Sequence, residues 1–281
     1  MLTRVRAGSC TVSGVSVGGV YTSLHVPEFD VIFDIGIAPR SFVGASKLLI
    51  SHGHADHVGS LGSLIGLRGL ARLPAPTVYL PEEIRSDVAE AVAALSRTQR
   101  RPLEVPFVSM VPGVDVACAD LWLRPFRTLH GVPSLGYAFV RKVQKLKDEF
   151  LALPANEIVA RKSAGLELFR QEERVELAYV TDSLIDVLDR EPWLLQAKVL
   201  ILECTFVDQS KSRAEAREKM HVHLDEIIER ADTFDNEALV LMHFSQSHQP
   251  SEVRRVLTER LPPQLRPRVV PFLPERGNWP G

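Results

Sequence analysis

The stretch Ser51-His52-Gly53-His54-Ala55-Asp56-His57 places four side chains of the metal-ligand type within six residues. It follows an apolar run typical of a strand and precedes an amphipathic pattern typical of a helix. Neutral imidazoles and carboxylates suit Zn²⁺, with Mn or Fe as alternatives. His52 and His54 can point the same way and hold one ion, whereas Asp56 and His57 can address a second. The stretch therefore predicts a metal centre in a loop between a strand and a helix.

Three more ligand-type side chains follow apolar β runs later in the chain. They are His130 after 121–129, Asp182 after 178–181 and His243 after 238–242. A catalytic zinc uses three or more protein ligands, so the loop by itself holds too few for two ions. Polar residues that end strands are where α/β folds collect their functional groups. Each of the three is weak evidence alone, but beside the H-x-H-x-D-H loop they predict a shared metal site.

Charge and composition exclude several classes of protein. The 281 residues carry 33 basic and 35 acidic side chains, have a formal net charge of -2, and are 45% hydrophobic. A chain of this kind can bury a large core and is neither disordered nor collagenous. Its near-neutral balance gives no general attraction to nucleic acid or to an anionic membrane. Binding of a polyanion therefore requires a local basic patch.

Cysteine usage and hydropathy indicate the compartment. Cys10, Cys118 and Cys204 are far apart and cannot all pair within one chain, which is typical of a reducing compartment. The first residues contain no apolar run of signal-peptide length, and no stretch approaches the ~20 apolar residues that a membrane span needs. We therefore expect a cytoplasmic protein without a membrane segment.

The hydrophobic pattern predicts a single α/β domain over residues 1–281, in which β runs alternate with helical patterns. The predicted strands cover 19–26, 30–35, 47–51, 77–80, 119–129, 135–141, 176–181, 198–203 and 238–243, and the predicted helices cover 57–72, 82–96 and 222–232. The last twenty-one residues carry six prolines and are expected to stay away from a sheet centre.

A polar, basic insertion interrupts this domain at about 142–174. Eight Lys or Arg from Arg141 through Arg174 stand against six Asp or Glu. The pattern there predicts helix.

Taken together, the motifs resemble those of tRNase Z, a family of the metallo-β-lactamase fold superfamily, over nearly the whole chain. Besides the histidine loop, the resemblance rests on Phe33-Asp34-Ile-Gly36, Leu129-His130, Val180-Thr-Asp182-Ser183, Leu202-Glu203-Cys-Thr-Phe206, His221-Val-His223 and His243-Phe-Ser245. The loop alone marks only the superfamily. The Glu-x-Thr-Phe and His-x-His blocks favour tRNase Z, and the order and spacing resemble its short form.

This resemblance implies an αββα four-layer sandwich with two zinc ions between its sheets. Carried over to this sequence, the implied ligands are His52, His54 and His130 for one ion, Asp56, His57 and His243 for the other, and Asp182 as the bridge. Asp34 would support the ligand loop from behind. A turn residue at the end of a strand, before Gly36, fits its position equally well. The implied activity is that of an endoribonuclease that removes the 3′ trailer from precursor tRNA.

The implied mechanism is attack on phosphorus by a hydroxide that bridges the two metal ions. Asp56 would orient the water or accept its proton. His221, assisted by Glu203, would protonate the departing ribose 3′-oxygen. His223, two residues further on, is a candidate ligand in an alternative arrangement of the metal site, but a surface role is favoured.

The insertion is a candidate substitute for the long glycine-rich arm with which the family clamps tRNA, an arm not visible in this sequence. Its candidate phosphate contacts are Lys142, Lys145, Lys147, Arg161 and Lys162. The interspersed acids suit a solvated helical face equally well. The resemblance also implies a homodimer.

Other functions stay open at this point. One is a thioester or lactone hydrolase on the same fold, similar to glyoxalase II, another is a different small phosphodiesterase, and a third is a non-catalytic binding protein. The seven ligand-type residues argue against the last, because a degenerate site usually lacks a ligand. Glu203 and His221 favour RNA cleavage over thioester hydrolysis, since a leaving alkoxide needs an acid.

Overall fold

Two seven-stranded β-sheets pack face to face in the computed structural model, which describes residues 2–275 and 277–279. The first sheet has the order β1 (Thr3–Ala7), β2 (Cys10–Val17), β3 (Tyr21–Val26), β4 (Val31–Phe33), β5 (Lys47–Leu49), β6 (Thr77–Pro81) and β7 (Phe107–Met110). Strands β1 to β4 pair antiparallel, and β4 to β7 pair parallel.

The second sheet repeats this arrangement. Its strands, again in sequence order, are β8 (Val116–Cys118), β9 (Leu121–Arg127), β10 (Leu135–Leu146), β11 (Phe169–Val180), β12 (Val199–Glu203), β13 (Ala238–Met242) and β14 (Val269–Pro271). Strands β8 to β11 pair antiparallel, and β11 to β14 pair parallel. The short β14 lies at the edge, as expected for the proline-rich end of the chain.

Helices cover the outer face of each sheet. The helices are α1 (Ala55–Val58), α2 (Leu61–Leu70), α3 (Arg85–Thr98), α4 (Ala155–Ser163), α5 (Val187–Arg190), α6 (Arg213–Glu218), α7 (Leu224–Glu229) and α8 (Pro250–Arg260). Helices α2 and α3 pack on the first sheet, and α5, α7 and α8 pack on the second. The predicted helix 57–72 is therefore two helices, separated at Gly59 and Ser60.

The central core lies between the sheets. Phe33 of β4 stacks on Tyr179 of β11 with ring centroids 4.5 Å apart, and both rings are fully buried. Strand β12 is buried along its whole length, because one face meets this core and the other meets the outer helices. That double coverage explains why its sequence, Val-Leu-Ile-Leu, is a continuous apolar run and not an alternating one. Each such aliphatic side chain contributes about 1.5–3 kcal/mol on burial.

The prediction of a helical insertion at 142–174 is wrong for most of that segment. Strands β10 and β11 continue into it as a long hairpin, and the ladder runs as far as the pair Leu146 and Phe169. Opposite charges face each other across the ladder, for example Lys142 opposite Glu173, which favours the strand pairing. Only the turn of the hairpin contains a helix, α4. Among the described residues, no helix is both long and apolar enough to cross a membrane.

Candidate metal centre

The carboxyl ends of strands from both sheets meet at one edge of the sandwich. Asp34 follows β4, the histidine loop follows β5, Asp182 follows β11, Glu203 ends β12 and His243 follows β13. Parallel neighbours within each sheet bring their carboxyl ends to the same edge, which is the usual place for a site in α/β proteins. The structure therefore brings together the residues that the sequence predicts as ligands.

One group of ligand atoms comes from His52, His54, His130 and Asp182, and these atoms lie within 4.8 Å of one another. His54 Nδ1 is 2.9 Å from His52 Nε2 and 3.3 Å from His130 Nε2. Asp182 Oδ2 is 3.8 Å from His52 Nε2 and 3.9 Å from His130 Nε2. Three imidazoles and a carboxylate thus converge on one point.

A second group combines Asp56, His57 and His243. His57 Nε2 lies 3.5 Å from Asp56 Oδ2 and 3.5 Å from Asp182 Oδ1, and His243 Nε2 lies 3.3 Å from the same Asp182 oxygen. The two oxygens of Asp182 therefore face the two groups separately. This is the position that a bridging ligand requires.

The donor set fits a metal site. His57 Nε2 and His243 Nε2 are buried, aim at Asp182, and have no hydrogen-bond partner among the described residues. A buried polar atom left unsatisfied costs about 1–3 kcal/mol, so such atoms are rare without a function. Burial would lower the pKa of the His57 imidazole, yet Asp182 and Asp34 raise it well above its usual value. The position therefore favours positive charge.

Asp34 holds the histidine loop from behind. Its carboxylate is fully buried and accepts hydrogen bonds from the Ser51 amide at 2.7 Å, the Ser51 hydroxyl at 2.8 Å, His57 Nδ1 at 2.8 Å and the Tyr179 hydroxyl at 2.6 Å. Because Nδ1 of His57 donates to Asp34, its Nε2 lone pair is free to face the site.

Hydroxyl groups orient two further imidazoles in the same way. Ser51 Oγ lies 2.9 Å from His52 Nδ1, and Thr205 Oγ1 lies 3.1 Å from His243 Nδ1. Each hydroxyl also donates to a buried carboxylate, Ser51 to Asp34 and Thr205 to Glu203. Each can therefore accept the Nδ1 proton and leave Nε2 for the site.

Glu203, which is fully buried, and His221, which is partly exposed, form a pair beside the ligand groups. Glu203 accepts hydrogen bonds from His221 Nδ1 at 3.0 Å, the Ser183 amide at 2.7 Å, the Thr205 hydroxyl at 2.6 Å and the Val222 amide at 3.2 Å. Burial would lower the pKa of His221, but the Glu203 carboxylate raises it to about 9. His221 is therefore protonated at neutral pH. Its ring centroid lies 5.5 Å from that of His243 and 5.7 Å from that of His130.

The surface role assigned to His223 is wrong, because this residue is fully buried and caps helix α7. Its Nδ1 accepts from the Asp225 amide at 3.1 Å, and its Nε2 donates to the Asp208 carbonyl at 2.9 Å. Both ring nitrogens are satisfied, so His223 is not available as a ligand.

The basic residues predicted to contact RNA lie on the hairpin and are mostly neutralised. The ion pairs are Lys142 with Asp115 at 3.1 Å, Lys145 with Glu172 at 2.6 Å, Lys147 with Glu167 at 3.9 Å and Arg161 with Glu157 at 3.5 Å. Lys162 lies 5.6 Å from the Phe169 ring centroid. Contact of these five residues with RNA stays a prediction.

Comparison with known proteins agrees with the geometry. A family model described as a β-lactamase superfamily domain matches residues 36–244. tRNase Z TRZ1 of Arabidopsis thaliana is 33% identical over 261 residues, which cover 92% of this chain and 93% of that protein.

Two solved structures show the same fold. The metallo-β-lactamase fold protein YhfI from Bacillus subtilis has a TM-score of 0.58 at 14% identity and covers 92% of this chain and 93% of its own. The short form of human tRNase Z has a TM-score of 0.54 at 17% identity, over 83% of this chain and 92% of its own.

Fold and site together define a metallo-β-lactamase-type α/β sandwich, as the sequence predicts. Within that superfamily, the chain belongs to the tRNase Z family.

Proposed function

We propose that the protein is a metal-dependent endoribonuclease that removes the 3′ trailer from precursor tRNA and leaves a 3′-hydroxyl. Membership of the tRNase Z family supports this assignment. The observation that carries it is the hydrogen bond between His221 and the buried Glu203 carboxylate, beside the ligand groups. A departing ribose 3′-oxygen needs a proton, whereas a thiolate can leave without one, so an acid at this position favours a nucleic-acid phosphodiester over a thioester.

We propose two zinc ions per chain, with Mn or Fe as alternatives. His52, His54 and His130 would hold one ion, and Asp56, His57 and His243 the other, with Asp182 in contact with both. Paired ions of this kind polarise phosphate oxygens and supply hydroxide near neutral pH. The separate approach of the two Asp182 oxygens to the two groups supports this division.

Two side chains would handle the protons. Burial would raise the pKa of the Asp56 carboxyl, but His57 lowers it to about 2, so Asp56 is ionised and can orient the attacking water through a hydrogen bond. Its role as the acceptor of the water's proton is carried over from the family resemblance. His221 is fixed through Nδ1 by Glu203, so its Nε2 proton is the one available to the 3′-oxygen. Its pKa of about 9 keeps that proton in place at neutral pH.

We also propose a cytoplasmic homodimer. The three cysteines are free and buried, which suits a reducing compartment. The dimer is carried over from the family resemblance, and analytical ultracentrifugation of the purified protein tests it. A sedimentation coefficient that corresponds to 31.3 kDa at micromolar concentration would contradict it.

The decisive experiment offers the zinc-loaded protein a precursor tRNA with a 3′ trailer and, separately, a glutathione thioester. We expect cleavage at one position of the RNA, a new 3′-hydroxyl end, and no thioester turnover. In the same assay, Glu203→Gln should slow cleavage of the RNA. Its matched control is Glu226→Gln, because Glu226 is also buried but its carboxylate caps helix α7 and pairs with Arg217. Turnover of the thioester alone would replace the proposed function with the hydrolase alternative.

A further inference from the structure

A cluster of four arginines lies at the far ends of helices α2 and α3, away from the residues described above. Arg97 is in the last turn of α3, Arg100 and Arg101 follow that helix, and Arg72 follows α2. All four side chains are exposed. Within the described part of the chain, none of them forms an ion pair with Asp or Glu. The cluster therefore presents uncompensated positive charge.

The same place in the fold holds all four residues. A Cβ atom on Gly69, near the end of α2, would lie 3.7 Å from Arg101 Nη2, and the Arg72 amide bonds to the Gly69 carbonyl at 3.1 Å. Two grooves flank Arg101. One of 510 Å³ is lined by Arg97, Arg100 and Arg101, and one of 340 Å³ by Arg101, Leu70 and Glu104.

The basic residues of the hairpin differ from this cluster, because most of them are paired with acids. Four of the five basic hairpin residues predicted to contact phosphate are held by acids, as the ion pairs above show. Three unpaired arginines within five residues, as in 97–101, occur nowhere else in the described residues. A near-neutral protein that binds a polyanion requires a local patch of this kind.

Backbone conformation adds a second, independent observation. Arg72 and Arg100 adopt left-handed φ angles of 58° and 56°. At the end of a helix this conformation favours Gly, and a residue with a Cβ costs roughly 1–2 kcal/mol there. The helix dipole favours a basic side chain in the last turn, which accounts for Arg97 but for neither Arg72 nor Arg100. Arginine thus occupies two positions where glycine would stabilise the fold more.

Helix α3 connects the cluster to the metal centre. Ile84, directly before α3, lines one groove together with Gly53 of the histidine loop. Fourteen residues of helix then span about 21 Å to the cluster. An RNA whose cleavage site is at the metal centre, next to a duplex, presents backbone phosphates at that range, and duplex RNA is bound mainly through such contacts.

We infer that Arg72, Arg97, Arg100 and Arg101 form a second RNA-binding site, which holds backbone phosphates of the substrate about 20 Å from the scissile bond. This inference rests on the proposed function, which it deepens by placing part of the substrate contact on the α2–α3 layer. The guanidinium groups bind phosphate through paired hydrogen bonds and without regard to base sequence.

The test replaces Arg97, Arg100 and Arg101 together by Gln and measures binding to a tRNA that ends at its mature 3′-hydroxyl, which cannot be cleaved. We expect Kd to rise about tenfold or more at 0.1 M salt, and the slope of log Kd against log salt to fall by about two to three. The matched control replaces Arg4, Arg40 and Arg190, three exposed arginines on separate elements, which removes the same charge and should leave Kd nearly unchanged. Zinc content and melting temperature show that both variants are folded.

Unchanged Kd and salt slope in the cluster variant, or no tRNA binding by the wild type, would overturn the inference. So would a cluster variant whose sedimentation changes with no loss of RNA affinity, because the arginines would then belong to a subunit interface. If the wild type binds tRNA but cleaves no precursor, while the cluster variant loses affinity, the proposed function fails and the binding site stands.

Discussion

The Tyr179 hydroxyl donates a hydrogen bond of 2.6 Å to Asp34 Oδ2, and this contact joins the two sheets directly behind the histidine loop. Both side chains are fully buried. A hydrogen bond to a charged group contributes about 1.5–3 kcal/mol. The contact therefore ties the position of the loop to the packing of the sheets.

Replacing Tyr179 by Phe tests that coupling. We expect the melting temperature to fall by about 3–4 °C, because about 2 kcal/mol is lost from a domain of 281 residues. Tyr137→Phe is the matched control, since Tyr137 is equally buried but donates to the neutral Ile50 carbonyl at 2.7 Å. Its melting temperature should fall by about half as much. Equal decreases in melting temperature for the two variants, measured by calorimetry, would show that the charge on Asp34 does not strengthen the hydrogen bond.

The pH dependence of cleavage reports on the Glu203–His221 pair. Glu203 raises the pKa of His221 to about 9, so the acid form is lost only above that pH. In Glu203→Gln the pKa falls, and the alkaline limb of the kcat profile should move to lower pH. Activity at pH 8 then falls more than activity at pH 6, with a loss of up to about 10²–10⁴-fold. The control Glu226→Gln should keep the wild-type profile, and bound zinc should be unchanged in both variants.

The sequence predicts well which ligand-type side chains the structure brings together, because its signals are local. His52 to His57 are contiguous, and Asp182 and His243 stand directly after apolar runs. The Asp34–Tyr179 contact could not be predicted, since it joins positions 145 residues apart and depends on how two sheets pack. Thr205 could have been noticed, because it lies in the same short block as Glu203.

Two other differences also have physical causes. The charge content of 142–174 suggests a solvated helix, but the ladder of β10 and β11 continues into this segment as far as Leu146 and Phe169. Strand β2 (Cys10–Val17) is also missing from the predicted strands. In the structure its first residues alternate between buried and partly exposed positions. Charge content is thus a weaker guide than the pairing of neighbouring strands.

Thr205 should control metal affinity through His243. Its hydroxyl donates to Glu203 at 2.6 Å and lies 3.1 Å from His243 Nδ1. In Thr205→Val the imidazole loses the partner that fixes its tautomer, and we expect zinc affinity to fall about 10–100-fold in a chelator competition. Thr205→Ser keeps the hydroxyl and should retain most of the affinity. Equal affinities for the Val and Ser variants would contradict the proposed orientation of His243.

Replacing Asp182, the proposed bridging ligand, should lower the zinc content more than replacing His54, which belongs to one ligand group only. Asp182 faces both ligand groups, so Asp182→Ala should lose zinc from both positions and abolish cleavage. His54→Ala removes one imidazole from one group, and should retain zinc at Asp56, His57 and His243 while losing activity. Elemental analysis gives the zinc content of each variant. Full cleavage activity in metal-free Asp182→Ala protein would contradict the proposed metal-dependent mechanism.

We expect His223 to position His221 without touching the substrate. His223 caps α7 and lies two residues after the candidate acid, so its two hydrogen bonds fix the segment that carries His221. His223→Ala removes the cap and leaves the Asp208 carbonyl without its donor, which should cost about 1–2 kcal/mol of stability and lower kcat with zinc content and KM unchanged. His223→Asn keeps a side-chain cap for the helix and should restore most of both quantities. If His223→Ala loses stability but keeps the wild-type kcat, the cap contributes to the stability of the fold alone.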